Sequence, residues 1–218
     1  MTDIDRRAVA SRVIRLLGGT LLMGVAIAAL VRAQLGLLPL DVLHLAVSQH
    51  TGWTLGGAFI AVQATLLMTC LPLRIRPGTG TVAAAAIPAL ACDVVLASMP
   101  APQNLAWKLL LFVTGGVLFA VGVALYLSAQ MGTLPRDSLM LELHRRHPRL
   151  QPAPIRVVAD ATCLLTGWLL LGPITAVVDG TVGPATLLLA ALLGPGIAFL
   201  VRRIKRYPTC SPHHRASS

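Results

Sequence analysis

Two stretches decide the fold: GGTLLMGVAIAALVRAQLGLLPLD, from Gly18 to Asp41, and GGVLFAVGVALYLSAQMGTLPRD, from Gly115 to Asp137. Each is an apolar run followed by the core A-Q-[LM]-G-x-L-P-x-D. The core repeats at a constant offset of 96, pairing Ala33 with Ala129, Gln34 with Gln130, Gly36 with Gly132, Leu38 with Leu134, Pro39 with Pro135 and Asp41 with Asp137. Identities at Gln, Gly, Pro and Asp do not follow from an apolar composition. Weaker echoes extend the duplication: Gln63-Ala-Thr65 resembles Asp160-Ala-Thr162, Gly78-Thr-Gly80-Thr81 resembles Gly183-Pro-Ala185-Thr186, and Pro88 has a counterpart in Pro195.

The chain around these copies reads as membrane-embedded. It is 56% hydrophobic and 12% charged, with a mean hydropathy of +0.77, too little charge for a soluble domain. Aromatics contribute only 4%, so Leu, Ala, Val and Gly dominate, which suits close helix packing in lipid. Six segments are long and apolar enough to cross a bilayer: Val13–Leu35, Leu55–Leu73, Thr79–Ser98, Leu105–Ser128, Ile155–Leu171 and Gly183–Val201. The expected fold is all-α, a polytopic bundle of about six transmembrane helices. Residues 1–12 form an N-terminal segment, 13–104 and 105–206 two three-helix repeats, and 207–218 a polar, disordered tail. The run after Arg12 and Arg15 lacks a small-x-small cleavage site and reads as a retained helix.

The net charge of +10 would suggest nucleic acid in a soluble protein. Here the basic residues lie between apolar runs and report topology. With the N-terminus inside, sixteen of the eighteen Lys and Arg fall on inner segments, leaving only Arg32 and Lys108 outside. Both termini are therefore expected on the cytoplasmic side of a bacterial cell membrane. No nucleic-acid partner is expected. The bilayer, a small-molecule substrate and, as an open option, a second copy of the chain are.

Three spans per repeat is an odd number, so the second copy must enter the membrane from the opposite face. Inverted repeats of this kind mark transporters. Gly36 and Pro39 weaken helix continuation, as do Gly132 and Pro135, so each first helix is expected to break and a short helix to start near Asp41 and Asp137. One reading makes Gln34, Asp41, Gln130 and Asp137 the lining or gate of a polar route, since broken helices survive only against protein or a watery cavity. The other makes Gly-Pro-Asp a surface turn with a capping Asp. Asp93, Asp160 and Gln63 are further intramembrane polar candidates. Arg156, four residues before Asp160, should pair with it on one helix face. Arg32 is expected to snorkel to the outer headgroups, and His44, His144 and His147 to sit at an interface.

Cys70, Cys92, Cys163 and Cys210 show no metal or disulfide spacing and read as packing residues. The Gly78–Thr81 run lacks a Walker lysine and reads as a turn whose threonines cap the next helix. No catalytic constellation, cofactor motif or metal set is present, so neither an enzyme nor a cofactor is expected.

The A-x-L-G-x-x-P-x-D-V-L stretch (Ala33 to Leu43), S-x-x-T-G-x-x-x-G (Ser48 to Gly56), G-T-G-T (Gly78 to Thr81) and Ile155-Arg156 with Asp160 resemble the YczE/YyaS/YitT-type bacterial membrane proteins. The resemblance covers about residues 12 to 206. It implies a small multi-span protein without a known cofactor, regarded as a transporter or exporter. The chain departs from that pattern at Leu40, at Arg136 and where Gly183-Pro-Ala185-Thr186 replaces G-x-G-T. The functional expectation is a secondary transporter of a small organic solute, coupled to protons through Asp41, Asp137, Asp93 or Asp160. The alternative is a non-transporting scaffold or accessory subunit with its contact surface at Arg145–Arg149 and the tail.

Overall fold

Helix is the only way such apolar runs can satisfy their backbone within lipid, and helix is what they form. The computed structural model describes residues 3–70, 79–132, 134–147 and 152–205. Among these, side chains at 3–8, 70, 79, 136–141, 152–153 and 205 are outside the description. The described elements are α1 (Asp3–Ala33), α2 (Pro39–Thr51), α3 (Leu55–Cys70), α4 (Thr79–Ser98), α5 (Leu105–Ala129), α6 (Pro135–Arg146), α7 (Pro152–Leu171), α8 (Pro173–Val178) and α9 (Pro184–Lys205). Five of them, α1, α4, α5, α7 and α9, are each long and apolar enough to cross a bilayer, and α2–α3 form a bent pair that gives a sixth crossing if it is one broken span rather than a re-entrant loop. Five of the six expected spans are recovered as single helices, and the other, Leu55–Leu73, corresponds to α3, which passes as a span only together with α2. Leu90, Val94, Val113, Val117, Leu165 and Leu188 are more than half exposed on the outside of the bundle, an apolar surface suited to lipid rather than water.

The duplicated helices α1 and α5 pack directly on each other and form the centre. A Cβ on Gly19 would lie 2.6 Å from both Gly122 O and Tyr126 N, and one on Gly115 would lie 3.2 Å from Ala26 O and 3.0 Å from Leu30 Cγ. Low numbers on α1 meet high numbers on α5, so the two helices run antiparallel. These contacts also exchange under the repeat offset: Gly19 corresponds to Gly115, Ala26 to Gly122, and Leu30 to Tyr126. Around this pair α4 packs on α1 and α9 on α5, while α2 packs on α7 and α3 on α6. Each is again an exchange of one half for the other. Pro88 and Pro195 lie inside α4 and α9. The Pro88 carbonyl sits 2.5 Å from where a Cβ of Gly24 would be, so α4 closes on α1 through glycine.

Both first helices break as expected and in the same way. Gln34 and Gln130 take φ of 53° and 54°, and Gly36 and Gly132 take φ of 148° and 139°. Left-handed conformation at a residue with a Cβ costs about 1–2 kcal/mol, and it is imposed twice at equivalent positions. Each glycine then meets the opposite half. A Cβ on Gly36 would lie 2.7 Å from Thr186 N, and one on Gly132 would lie 2.9 Å from Thr81 N. Gly36→Ala and Gly132→Ala should each lower stability by about 1–3 kcal/mol, read as a lower thermal midpoint in detergent. A milder loss at Gly132 would follow from its slightly wider gap.

Pro39 and Pro135 open α2 and α6, where a missing N–H costs nothing. At 13 residues, α2 reaches only about 20 Å, short of a roughly 30 Å hydrocarbon core. It meets α3 at 114°. The short helix expected near Asp137 is α6, which runs from Pro135 to Arg146. Gly78, Cys210 and the tail 207–218 lie outside the described residues, as does the Thr79 side chain. Capping of α4 by that hydroxyl is therefore not described.

Candidate functional site

Near the middle of α1 and α5 the bundle leaves a cavity of about 50 Å³. Its wall contains three pairs of repeat-equivalent residues: Met23 with Phe119, Leu38 with Leu134, and Gln63 with Asp160. Pro39, Asp41 and Arg156 complete its polar side. The chain after the first break therefore turns back into the bundle from Leu38 to Asp41 instead of lying along its surface. Of the two sequence readings, the surface turn fails for Asp41, which is 4% exposed. Gln34 and Gln130 do lie at the surface. The backbone of α6 is described at Asp137, but its side chain is outside the description.

Asp41 does not cap α2. Leu38 occupies the cap position without a side-chain hydrogen bond, and Asp41 Oδ1 instead lies 3.0 Å from His44 Nδ1. This corrects both expectations for the pair. His44 is fully buried, not interfacial, and its ring packs on Phe59 with centroids 4.4 Å apart. The i, i+3 spacing puts both groups on one face. Burial follows because α2 is sandwiched between α3 and α7, with Leu43 backbone against Gly167. Asp41 Oδ2, His44 Nε2 and Gln63 Oε1 are buried without hydrogen-bond partners, an arrangement that is costly in a low-dielectric interior.

The other carboxylates have different employment. Asp93 Oδ1 accepts the Gly56 N–H at 2.8 Å, binding α4 to the first turn of α3. Asp93→Ala should cost about 0.5–2 kcal/mol, as loss of a helix cap does, measurable as reduced thermal stability. Asp160 pairs with Arg156 at 3.7 Å, as its spacing predicted. Arg32 does not snorkel outward: its guanidinium donates to Leu96 O near the end of α4. Neither Cys92 nor Cys163 forms a disulfide. The described residues contain no group of three or more His, Cys, Asp or Glu suited to a metal ion.

A second cavity, of about 370 Å³, opens beside the first break. Gln34, Gln49, Asp179 and Thr181 give it polar walls, and Val31, Leu37 and Leu45 an apolar floor. The sequence did not single out Asp179, which lies in a turn after α8. Leu37 faces this cavity and Leu38 faces the central one. Alternate side chains of an extended segment point to opposite sides, so a wall one residue thick separates the two spaces. Leu37 N–H holds that wall in place by donating to Thr181 O at 3.1 Å. Lys108 Nζ donates to Gln34 Oε1 at 3.1 Å at the rim.

Residues 10–202 match a family described as "Family of unknown function (DUF6198)". A Haemophilus influenzae protein named "Uncharacterized protein" is 27% identical over 187 residues, 86% of this chain and 82% of its own length. The "Uncharacterized membrane protein YczE" of Bacillus subtilis is 30% identical over 161 residues, 73% of this chain and 71% of its own length. No solved structure matches. With a membrane bundle, a duplicated break and these matches along nearly its whole length, the chain is a membrane protein that belongs to the DUF6198 family and to the YczE type of bacterial membrane proteins.

Proposed function

We propose that the protein is a secondary transporter of a small organic solute, coupled to protons and built from two halves related by a two-fold axis in the membrane plane. One observation carries this reading: a cavity in the middle of the bundle is lined by the first broken segment at Leu38 to Asp41, by Leu134 after the second break, and by the polar side chains of Gln63, Arg156 and Asp160. Binding at a midplane formed by interrupted helices is the arrangement of many carriers. The antiparallel crossing of the duplicated helices and the exchange of Gly36–Thr186 for Gly132–Thr81 support the two-fold relation. Both termini then lie on the cytoplasmic side.

The volumes describe a closed state. About 50 Å³ admits water but no organic solute, which needs roughly 300–1,000 Å³. The second cavity is large enough, so the Leu37–Leu38 wall separates a solute-sized vestibule from the central site. Rocking of one half against the other would move this wall and its counterpart at Leu134 in opposite senses.

The test is flux into proteoliposomes under an imposed pH gradient, with a panel of small organic amines, acids and alcohols. Movement that depends on both the protein and the gradient supports the carrier. Its absence, together with a stable protein partner recovered by crosslinking at Arg145 or Arg202, would favour the accessory-subunit reading. Arg145 and Arg202 are exposed, although Arg145 is partly neutralised by Glu142 at 2.9 Å.

A further inference from the structure

We infer that Asp41 and His44 together hold one exchangeable proton, and that this pair, rather than Asp93 or Asp160, is the proton site of the carrier. The inference rests on the transporter reading above only for the use made of that proton. The binding itself follows from the geometry.

With Nδ1–H of a neutral imidazole donating to Asp41 Oδ1 at 3.0 Å, the pair carries one negative charge inside the bundle. Oδ2 and Nε2 are then both acceptors, both buried, and neither has a donor. A buried net charge without a partner is expensive. The N-terminal end of α2 offsets only part of it, since Asp41 lies in the first turn. One added proton makes the pair neutral. An imidazole is the side chain best suited to gain and lose a proton near neutral pH. The proton comes from water admitted when the cavity opens and returns to it, forming or breaking a single N–H bond, with nothing oxidised or reduced. The proton is bound at the imidazole, and the Asp41 carboxylate balances the charge it brings.

The surrounding ionisable groups leave this role to the pair. On α1, Arg32 donates to Leu96 O through one terminal nitrogen, while its Nε is buried without a partner. On α3, Gln63 is neutral. On α4, the Cys92 thiol lies within electrostatic reach of Asp41, and Asp93 is engaged by the Gly56 N–H. On α7, Asp160 faces Arg156 at 3.7 Å, a pair with no net charge. On α2 itself, His50 is exposed and lies against Ala46 O.

The experiment follows imidazole ¹⁵N signals of histidine-labelled full-length protein in lipid nanodiscs from pH 9 to pH 5. His44 is identified as the signal lost in His44→Gln and, independently of any variant, by its proximity to the Phe59 ring. The expected result is one protonated nitrogen at high pH and two at low pH. In Asp41→Asn that change should occur over a different pH range, because the carboxylate paired with the imidazole is gone. A His44 that keeps one protonation state throughout, or titrates identically without the Asp41 carboxylate, overturns the inference. No solute enters this measurement. Titration without any flux would overturn the carrier alone, and flux with a silent His44 would overturn the proton site alone.

Discussion

Replacing Gly122 by leucine is expected to leave no monodisperse protein after detergent extraction, whereas leucine at Gly18 is expected to be tolerated. A Cβ at 122 would sit 2.8 Å from Gly19 O and 3.0 Å from Met23 N, both backbone atoms. Overpacking a core typically costs about 1–3 kcal/mol when side chains can move aside. Backbone on the facing helix cannot, so α1 and α5 would have to separate along their shared contact. Because the close approach is mutual, Gly19→Leu should fail in the same way. Gly18 has nothing within 4 Å of its Cβ position, and a substitution in open space is usually worth less than about 0.5 kcal/mol. Size-exclusion profiles of the three variants decide the point. Equal behaviour of Gly18→Leu and Gly122→Leu would mean that the central crossing is not where the bundle is held.

The second large effect is on transport. Asp41→Asn is expected to reduce proton-driven solute flux by about a hundredfold while leaving the protein folded. The amide matches the carboxylate in shape and can keep a contact to His44, but it cannot carry the charge that makes proton binding favourable. Asp93→Asn should retain flux, because that side chain works by accepting the Gly56 N–H. Flux assays in proteoliposomes with matched protein content distinguish these outcomes. Undiminished flux in Asp41→Asn would remove the proton role from this residue.

Much of the architecture was legible because bilayer thickness imposes a length on apolar runs. The six expected segments correspond to α1, α3, α4, α5, α7 and α9, with boundaries shifted by a few residues except at the start of α1, which begins at Asp3 rather than Val13. The breaks were legible because Gly and Pro act locally: Gly36, Pro39, Gly132 and Pro135 interrupt the helix whatever surrounds them. The echo of Thr81 in Thr186 was visible too, but not that each threonine would meet the other half's glycine.

What the sequence did not reveal depends on depth and on partners far along the chain. His44 stands three residues from Asp41, so their shared face was readable. That this face is buried depends on α7 closing over α2 at Gly167, more than 120 residues away in the chain. Arg32 looked like a residue for headgroups until the end of α4 placed a carbonyl within its reach. Asp93 looked like a buried charge in search of a role until the start of α3 supplied an N–H. Asp179 sits in a turn that composition marks only as loop, and it lines a cavity because Gln34 and Thr181 pack beside it. Such long-range pairings have no local signature.

The account depends most on the two copies of the break facing opposite sides of the membrane. Gln34 and Gln130 are both exposed and occupy equivalent positions. Each can be replaced by cysteine in a chain whose four native cysteines are changed to serine, and then treated with a membrane-impermeant maleimide in sealed vesicles of known orientation. Labelling of Gln34→Cys from the outer face and Gln130→Cys from the cytoplasmic face is the predicted result. Labelling of both from one face would contradict it.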